Sequence, residues 1–136
     1  MVGFLLDTNV LSEVIKPRPT RSVIDRLRRY QADALFTSVV CVYEMRYGAA
    51  RSPRKDELWR RLKADVFPRV QILPLDPSSA LLAADLRGEL ETQGLPMGPE
   101  DLLIGATALA HDLTVVSRNV RHLSRIVGLV VEDWWT

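Results

Sequence analysis

Short apolar runs alternate along this chain with stretches whose apolar residues recur at helical spacing. The runs near Gly3 to Leu6, Leu35 to Thr37, Gln71 to Leu73, Thr114 to Val116 and Leu129 to Val131 are brief and read as strands. Between the first two, Val23, Ile24, Leu27 and Tyr30 keep helical spacing while Arg26, Arg28 and Arg29 take the other face. Pro53 predicts the start of a second arginine-bearing helix, with Asp56 and Glu57 early and Arg60, Arg61 and Lys63 late, an order that complements the helix dipole. Its apolar residues Leu58, Trp59, Leu62 and Val66 give it a face to pack. Pro77 opens a long helix reaching about Gly94, and Gly98 and Pro99 open another over Glu100 to His111. The intervening Thr92 to Gly98, with two glycines and a proline, predicts a flexible approach to a site. Strands alternating with amphipathic helices predict an α/β fold with a mainly parallel sheet of about five strands.

Composition narrows the class. A chain of 136 residues, 47% hydrophobic and 26% charged, is expected to be a single domain, 1–136, with a substantial core rather than a disordered segment. The lone cysteine, Cys41, sits among valines and reads as a core thiol, which excludes an intrachain disulfide and leaves no Cys-rich zinc site. The longest run of apolar and small residues, Leu102 to Ala110, is too short to span a bilayer, and no basic segment leads into a long apolar one at the N-terminus. A cytoplasmic protein without membrane contact is expected. The formal net charge of +1 does not advertise a general nucleic-acid binder, although arginines cluster locally.

Three acids stand where a site could use them, although two of them also suit an ordinary helix start. Asp7 directly follows the first strand, ahead of Thr8 and Asn9, where open α/β sheets place their ligands and where an ordinary turn or helix cap would put the same residues. Glu44 lies on a helix whose neighbours three and four positions away are Val40, Cys41, Tyr47 and Gly48, an apolar face. A carboxylate there calls for a metal or for an ion pair with a distant arginine, since Arg46 is badly placed to meet it. Asp101 shares its face with Ile104, Gly105 and Ala108, yet as a first-turn acid it also suits the helix N-terminus. Glu100 should point about a quarter-turn away, into solvent. At the fourth strand, Val116 runs into Ser117, Arg118 and Asn119, again polar groups at a sheet edge or a simple turn.

Taken together, Leu5-Leu6-Asp7-Thr8-Asn9, Tyr43-Glu44, Gly98-Pro99-Glu100-Asp101-Leu102-Leu103-Ile104, Val116-Ser117-Arg118-Asn119 and the ending Gly128-Leu129 through Glu132-Asp133-Trp134 resemble PIN-domain ribonucleases, especially the VapC-type toxins of toxin-antitoxin pairs. The resemblance implies a three-layer fold with helices flanking the sheet. It also implies that Asp7, Glu44 and Asp101 are metal-binding carboxylates and that Ser117 is the small hydroxyl residue after the fourth strand. Many family members carry a fourth acid where this chain has Asn119 or His122. Asn119 offers a carbonyl oxygen instead, and His122 is either a phosphate contact or a surface residue.

An all-oxygen carboxylate set favours Mg2+, with Mn2+ as the alternative, over zinc. The chemistry implied is hydrolysis of RNA by metal-activated water, with Asp7 and Asp101 as principal ligands and Glu44 completing the shell or orienting the water. Thr8 and Ser117 would support these acids, and Arg118 would meet the RNA backbone. The expected partners are an RNA substrate, with tRNA the commonest type, a VapB-type antitoxin, operator DNA reached only through that antitoxin, and a second copy in a homodimer. A haloacid-dehalogenase-type phosphatase would need a second aspartate where Asn9 stands, and a receiver domain an acidic pair near its start. The remaining alternative is a PIN-like module that binds RNA or an antitoxin and cuts poorly for want of the fourth acid.

Overall fold

Five short strands fix where everything else can lie. The computed structural model describes residues 2–136. In it β1 (Phe4–Leu6), β2 (Leu35–Ser38), β3 (Gln71–Leu73), β4 (Thr114–Val116) and β5 (Val131–Glu132) form one sheet in the order β3-β2-β1-β4-β5. Every neighbouring pair is parallel. Parallel neighbours need crossovers, and these carry the helices α1 (Thr8–Val14), α2 (Arg21–Arg28), α3 (Val39–Ala50), α4 (Lys55–Arg61), α5 (Pro77–Thr92), α6 (Pro99–Ala110) and α7 (Val120–Leu123). All three residues of β1 are buried, as expected of a central parallel strand covered on both faces. The expected three-layer α/β architecture is therefore the observed one.

Strand order sets the position of the ligand-binding edge. From β1 the chain steps outward to β2 and β3, then returns to the other side of β1 for β4 and β5. The direction of winding thus reverses between β1 and β4, and a crevice opens beyond the C-terminal ends of those two strands. Asp7 and Ser117 are the residues immediately after them. Over the sheet, Leu5, Leu6, Val10, Leu11, Cys41, Val115 and Val116 belong to the main core, where Cys41 is the buried thiol expected. A second core joins α5 to α6 through Ala83, Leu86, Leu90, Leu102 and Ala106. There the backbone at Gly105 lies so close to Ile126 that a Cβ would meet its side chain at 2.5 Å, so α6 is seated firmly on the residues that follow α7.

Element ends mostly lie within a residue or two of the sequence expectation, with larger differences in the last strand and in the helix expected from Pro53. The last strand begins at Val131 rather than near Leu129, because Gly128 at φ 87 and the Leu129 N–H to Ile126 carbonyl bond of 3.2 Å hold that stretch in a turn. The helix expected from Pro53 starts at Lys55, and at Leu62–Val66 it widens into a π-helical segment. Thr92 to Gly98 is mostly exposed but anchored at two points: Met97 is buried in the second core, and Arg125 donates to the Pro96 carbonyl at 3.2 Å. No helix among the described residues is long and apolar enough to cross a membrane.

The C-terminal segment is fastened to the start of the fold by aromatic packing. Trp134 is fully buried, stacked at 5.8 Å on Tyr30 and edge-on at 5.2 Å to Phe4, with its Nε1–H donated to Glu132 at 3.0 Å. Trp135 donates its Nε1–H to Glu13 on α1 at 3.2 Å. Glu13 is 97% buried, counted from its 3% exposure, and receives three further bonds, from Lys16 Nζ at 3.0 Å and from the Thr20 N–H and hydroxyl at 2.9 and 3.2 Å. Burial opposes its ionisation, but these donors prevail and hold its carboxyl down at about 2.

Because that value lies below the ordinary 4.5, Glu13 stabilises the fold fully above about pH 4.5 and loses this effect as pH falls towards 2. Glu13→Gln, which offers one acceptor to four donors, should cost about 1–3 kcal/mol at pH 7. Chemical unfolding at pH 7 and pH 3 checks this: the gap between variant and wild type should narrow at the lower pH, and an equal gap would refute the assignment.

Candidate active site

Asp7 leaves β1 with its backbone N–H bonded to the Val116 carbonyl of β4 at 3.2 Å, which fixes it at the winding reversal. Its carboxylate caps α1, accepting from the N–H groups of Asn9 at 3.0 Å and Val10 at 3.3 Å. The cap uses one oxygen, Oδ1, and so does not exhaust the group. Burial pushes the Asp7 carboxyl up to about 6, against the lowering influence of the neighbouring Ser117 hydroxyl and the two cap bonds, with the negative charge of Asp101 raising it further.

Glu44 is carried by α3, which packs on α1. Its Oε1 accepts the Thr8 hydroxyl at 2.6 Å, a bond that ties the residue after Asp7 to the second acid. Partial burial raises the Glu44 carboxyl above its ordinary value despite this bond, and the charges of Asp101 and Glu100 raise it further. No arginine or lysine lies within ion-pair distance of Glu44 among the described residues, so the distant-arginine explanation falls away. Arg46 instead lies 4.8 Å over the Trp59 ring.

Asp101 enters from α6, in the first turn behind the Gly98 cap and Pro99. It too is raised, first by partial burial; His122 offsets this and Glu100 adds to it. Charge coupling thus links Asp7 to Asp101 and Asp101 to Glu44. Glu100, expected to be solvated, is half-buried and acts on both Glu44 and Asp101. Its position in the same helical turn as Asp101 was the available signal.

The remaining candidates divide. Ser117 is fully buried beside Asp7, and its hydroxyl accepts the Asn119 N–H at 2.9 Å. Asn119 itself is exposed and precedes α7 without capping it through its side chain. Arg118 is exposed and lies 5.4 Å over the Trp135 ring. Sequence alone does not single out Glu13 or Trp135, because their contact joins opposite ends of the chain.

The donor set is suited to a hard divalent cation: three desolvated carboxylates, mutually repelling, with no basic residue in an ion pair with any of them among the described residues. No three His, Cys, Asp or Glu side chains among the described residues are drawn tightly enough to enclose an ion in this conformation. The acids are coupled through space rather than closed on a point.

Comparison with known proteins gives the family to which this fold belongs. The profile of the PIN domain matches residues 4–129, and the chain belongs to that family. It belongs, within the family, to the VapC ribonucleases. It is 34% identical over 134 residues to the tRNA(fMet)-specific endonuclease VapC of Shigella flexneri, covering 98% of this chain and 99% of that protein. It is 35% identical over 135 residues to the toxin FitB of Neisseria gonorrhoeae, covering 96% and 97%. Among solved structures it resembles DNA-bound VapBC from Salmonella typhimurium, with a TM-score of 0.88 at 30% identity over 98% of this chain and 99% of that one.

The raised value of Asp7 makes a stability prediction. A folded value of about 6 against an ordinary 3.8 means that the ionised group destabilises the metal-free fold, by nothing below about pH 4 and fully above about pH 6. Asp7→Asn keeps a cap oxygen and removes the charge, so it should stabilise the metal-free protein by about 1–3 kcal/mol at pH 8. The melting temperature in EDTA should rise at pH 8 and stay nearly unchanged at pH 4; a fall at pH 8 would count against a strained carboxylate.

Proposed function

We propose that the chain is an endoribonuclease toxin that hydrolyses RNA phosphodiester bonds at a carboxylate-held divalent cation, Mg2+ with Mn2+ as the alternative. The observation that carries this reading is the set of three acids, Asp7, Glu44 and Asp101, all raised in pKa at the sheet's winding reversal and all without a basic ion-pair partner among the described residues. Asp7 and Asp101 would be the principal ligands. When bound, the cation supplies a water of lowered pKa and stabilises charge developing on the phosphate.

The chain's own groups then divide the work. Glu44, held by the Thr8 hydroxyl, completes the ligand shell or orients and deprotonates the attacking water. Ser117 would keep Asp7 and the β4 turn in register, and Asn119, exposed just beyond Ser117, would offer a neutral carbonyl oxygen in place of a fourth acid. Arg118, free of any carboxylate partner among the described residues, meets the RNA backbone.

The substrate of first choice is tRNA, on the strength of the relative named for tRNA(fMet). The proposed partners are a VapB-type antitoxin, operator DNA through that antitoxin, and a second copy of the chain in a homodimer working in the cytoplasm. An open groove running past Ile15, Met45, Arg54 and Arg61 reaches Thr8 and Glu44 and would give a peptide or an RNA a path to that side of the site. Val39, Tyr43 and Tyr47 on α3 leave apolar surface exposed for assembly.

Two features favour the second reading, a module that binds RNA or antitoxin without efficient cleavage: among the described residues the three acids do not close on a point, and no acid stands at Asn119 or His122. Cleavage of bulk tRNA separates the two. The nuclease should need Mg2+ or Mn2+, stop in EDTA, and lose about a hundredfold or more in rate with Asp101→Asn while its melting temperature holds. Cleavage undiminished in EDTA or in that variant would reject the metal-site assignment, and an inert wild type would select the binding module.

A further inference from the structure

We propose that Trp135 is a positioning residue, a rigid shelf that holds the Arg118 guanidinium at the mouth of the site so that it grips the RNA backbone. The inference rests on the nuclease reading above. Arg118 follows Ser117 directly, at the C-terminal end of β4, the strand that shares the winding reversal with Asp7. It is exposed, and among the described residues no carboxylate pairs with it. What it meets is a ring face, with Cζ 5.4 Å from the Trp135 centroid.

The type of partner matters. An Asp or Glu beside Arg118 would neutralise its charge and compete with phosphate for its N–H donors. An indole face orients the guanidinium by cation–π attraction and leaves both its charge and its edge donors available. Arginine side chains carry large rotamer entropy, so an arginine already held against a fixed surface loses less on binding phosphate.

The shelf is itself fixed at both ends. Its Nε1–H goes to Glu13 at 3.2 Å and its backbone N–H to the Asp133 carboxylate at 2.8 Å. Glu13 lies on α1, the helix capped by Asp7, and β5 lies beside β4 with Ser117 N–H bonded to the Glu132 carbonyl at 3.0 Å. The path from Asp7 along α1 to Glu13, Trp135 and Arg118 therefore returns to the residue next to Ser117. It gives the C-terminal tail a part in substrate binding that its distance in sequence conceals.

The test compares wild type, Arg118→Ala, Trp135→Ala, Trp135→Phe and the double alanine variant, using bulk tRNA as the probe. Cleavage in Mg2+ gives KM and kcat, and binding in EDTA as a function of salt counts phosphate contacts. Both single alanine variants should raise KM about three- to tenfold with kcat within about twofold, and should lower the salt slope by about one. The double variant should be no worse than Arg118→Ala, and Trp135→Phe, which keeps a ring face, should recover part of the loss. If Trp135→Ala does not fold, Trp135→Leu replaces it, filling the space without a π face. Wild-type KM in a folded Trp135 variant, a loss confined to kcat, or multiplying effects in the double variant would overturn the positioning role while leaving the nuclease intact. A wild type that neither cuts nor binds tRNA would overturn both.

Discussion

The structure turns on one uncomfortable carboxylate. Asp7 stands where the first strand ends, at the place where the winding reverses, and it is buried there at a cost in ionisation that raises its carboxyl to about 6. A helix cap accounts for its backbone partners but not for its burial beside Asp101, which raises it further. Every element around it keeps that geometry in place. β4 bonds its N–H, α1 takes its oxygen as a cap, α6 brings Asp101 within electrostatic reach of it, and α3 brings Glu44 within reach of Asp101. Buried, mutually coupled carboxylates are the kind of costly arrangement that functional sites hold, and a bound cation would compensate it.

Much of this was legible in the chain because strands and helices advertise themselves by period. Four of the five strands fall at the expected runs, and α5 and α6 start at the prolines that predict them. The acids were legible for the same reason: Glu44 and Asp101 break an apolar face, and a broken face is visible at helical spacing. The fifth strand moved to Val131 because a glycine turn, not hydrophobicity, decides where the edge strand can begin pairing. Sequence also could not show the two anchors of Thr92 to Gly98, since Met97 and Arg125 make their contacts across space.

What remained hidden is the set of contacts between distant parts of the chain. Glu13 looks in sequence like a routine helix acid, yet it is buried and gathers Lys16, Thr20 and Trp135. Trp134 and Trp135 look like a matched aromatic ending but do different things: the first fills the core against Tyr30 and Phe4, the second faces Arg118. Glu100 turned from a solvated acid into a contributor to the site's negative potential. Membership in the VapC ribonucleases fixes the fold and the class, while these contacts distinguish how this chain arranges its site.

The central claim is that the raised carboxylates exist to hold a divalent cation, and proton counting tests it most directly. Calorimetric titration of Mn2+ into the wild-type protein at pH 5.5, repeated in buffers of different ionisation enthalpy, measures the protons released as the cation binds. With Asp7 near 6 and the other two acids also raised, about one proton should leave at pH 5.5 and almost none at pH 8. Binding heats independent of buffer at pH 5.5, or no binding at either pH, would contradict it.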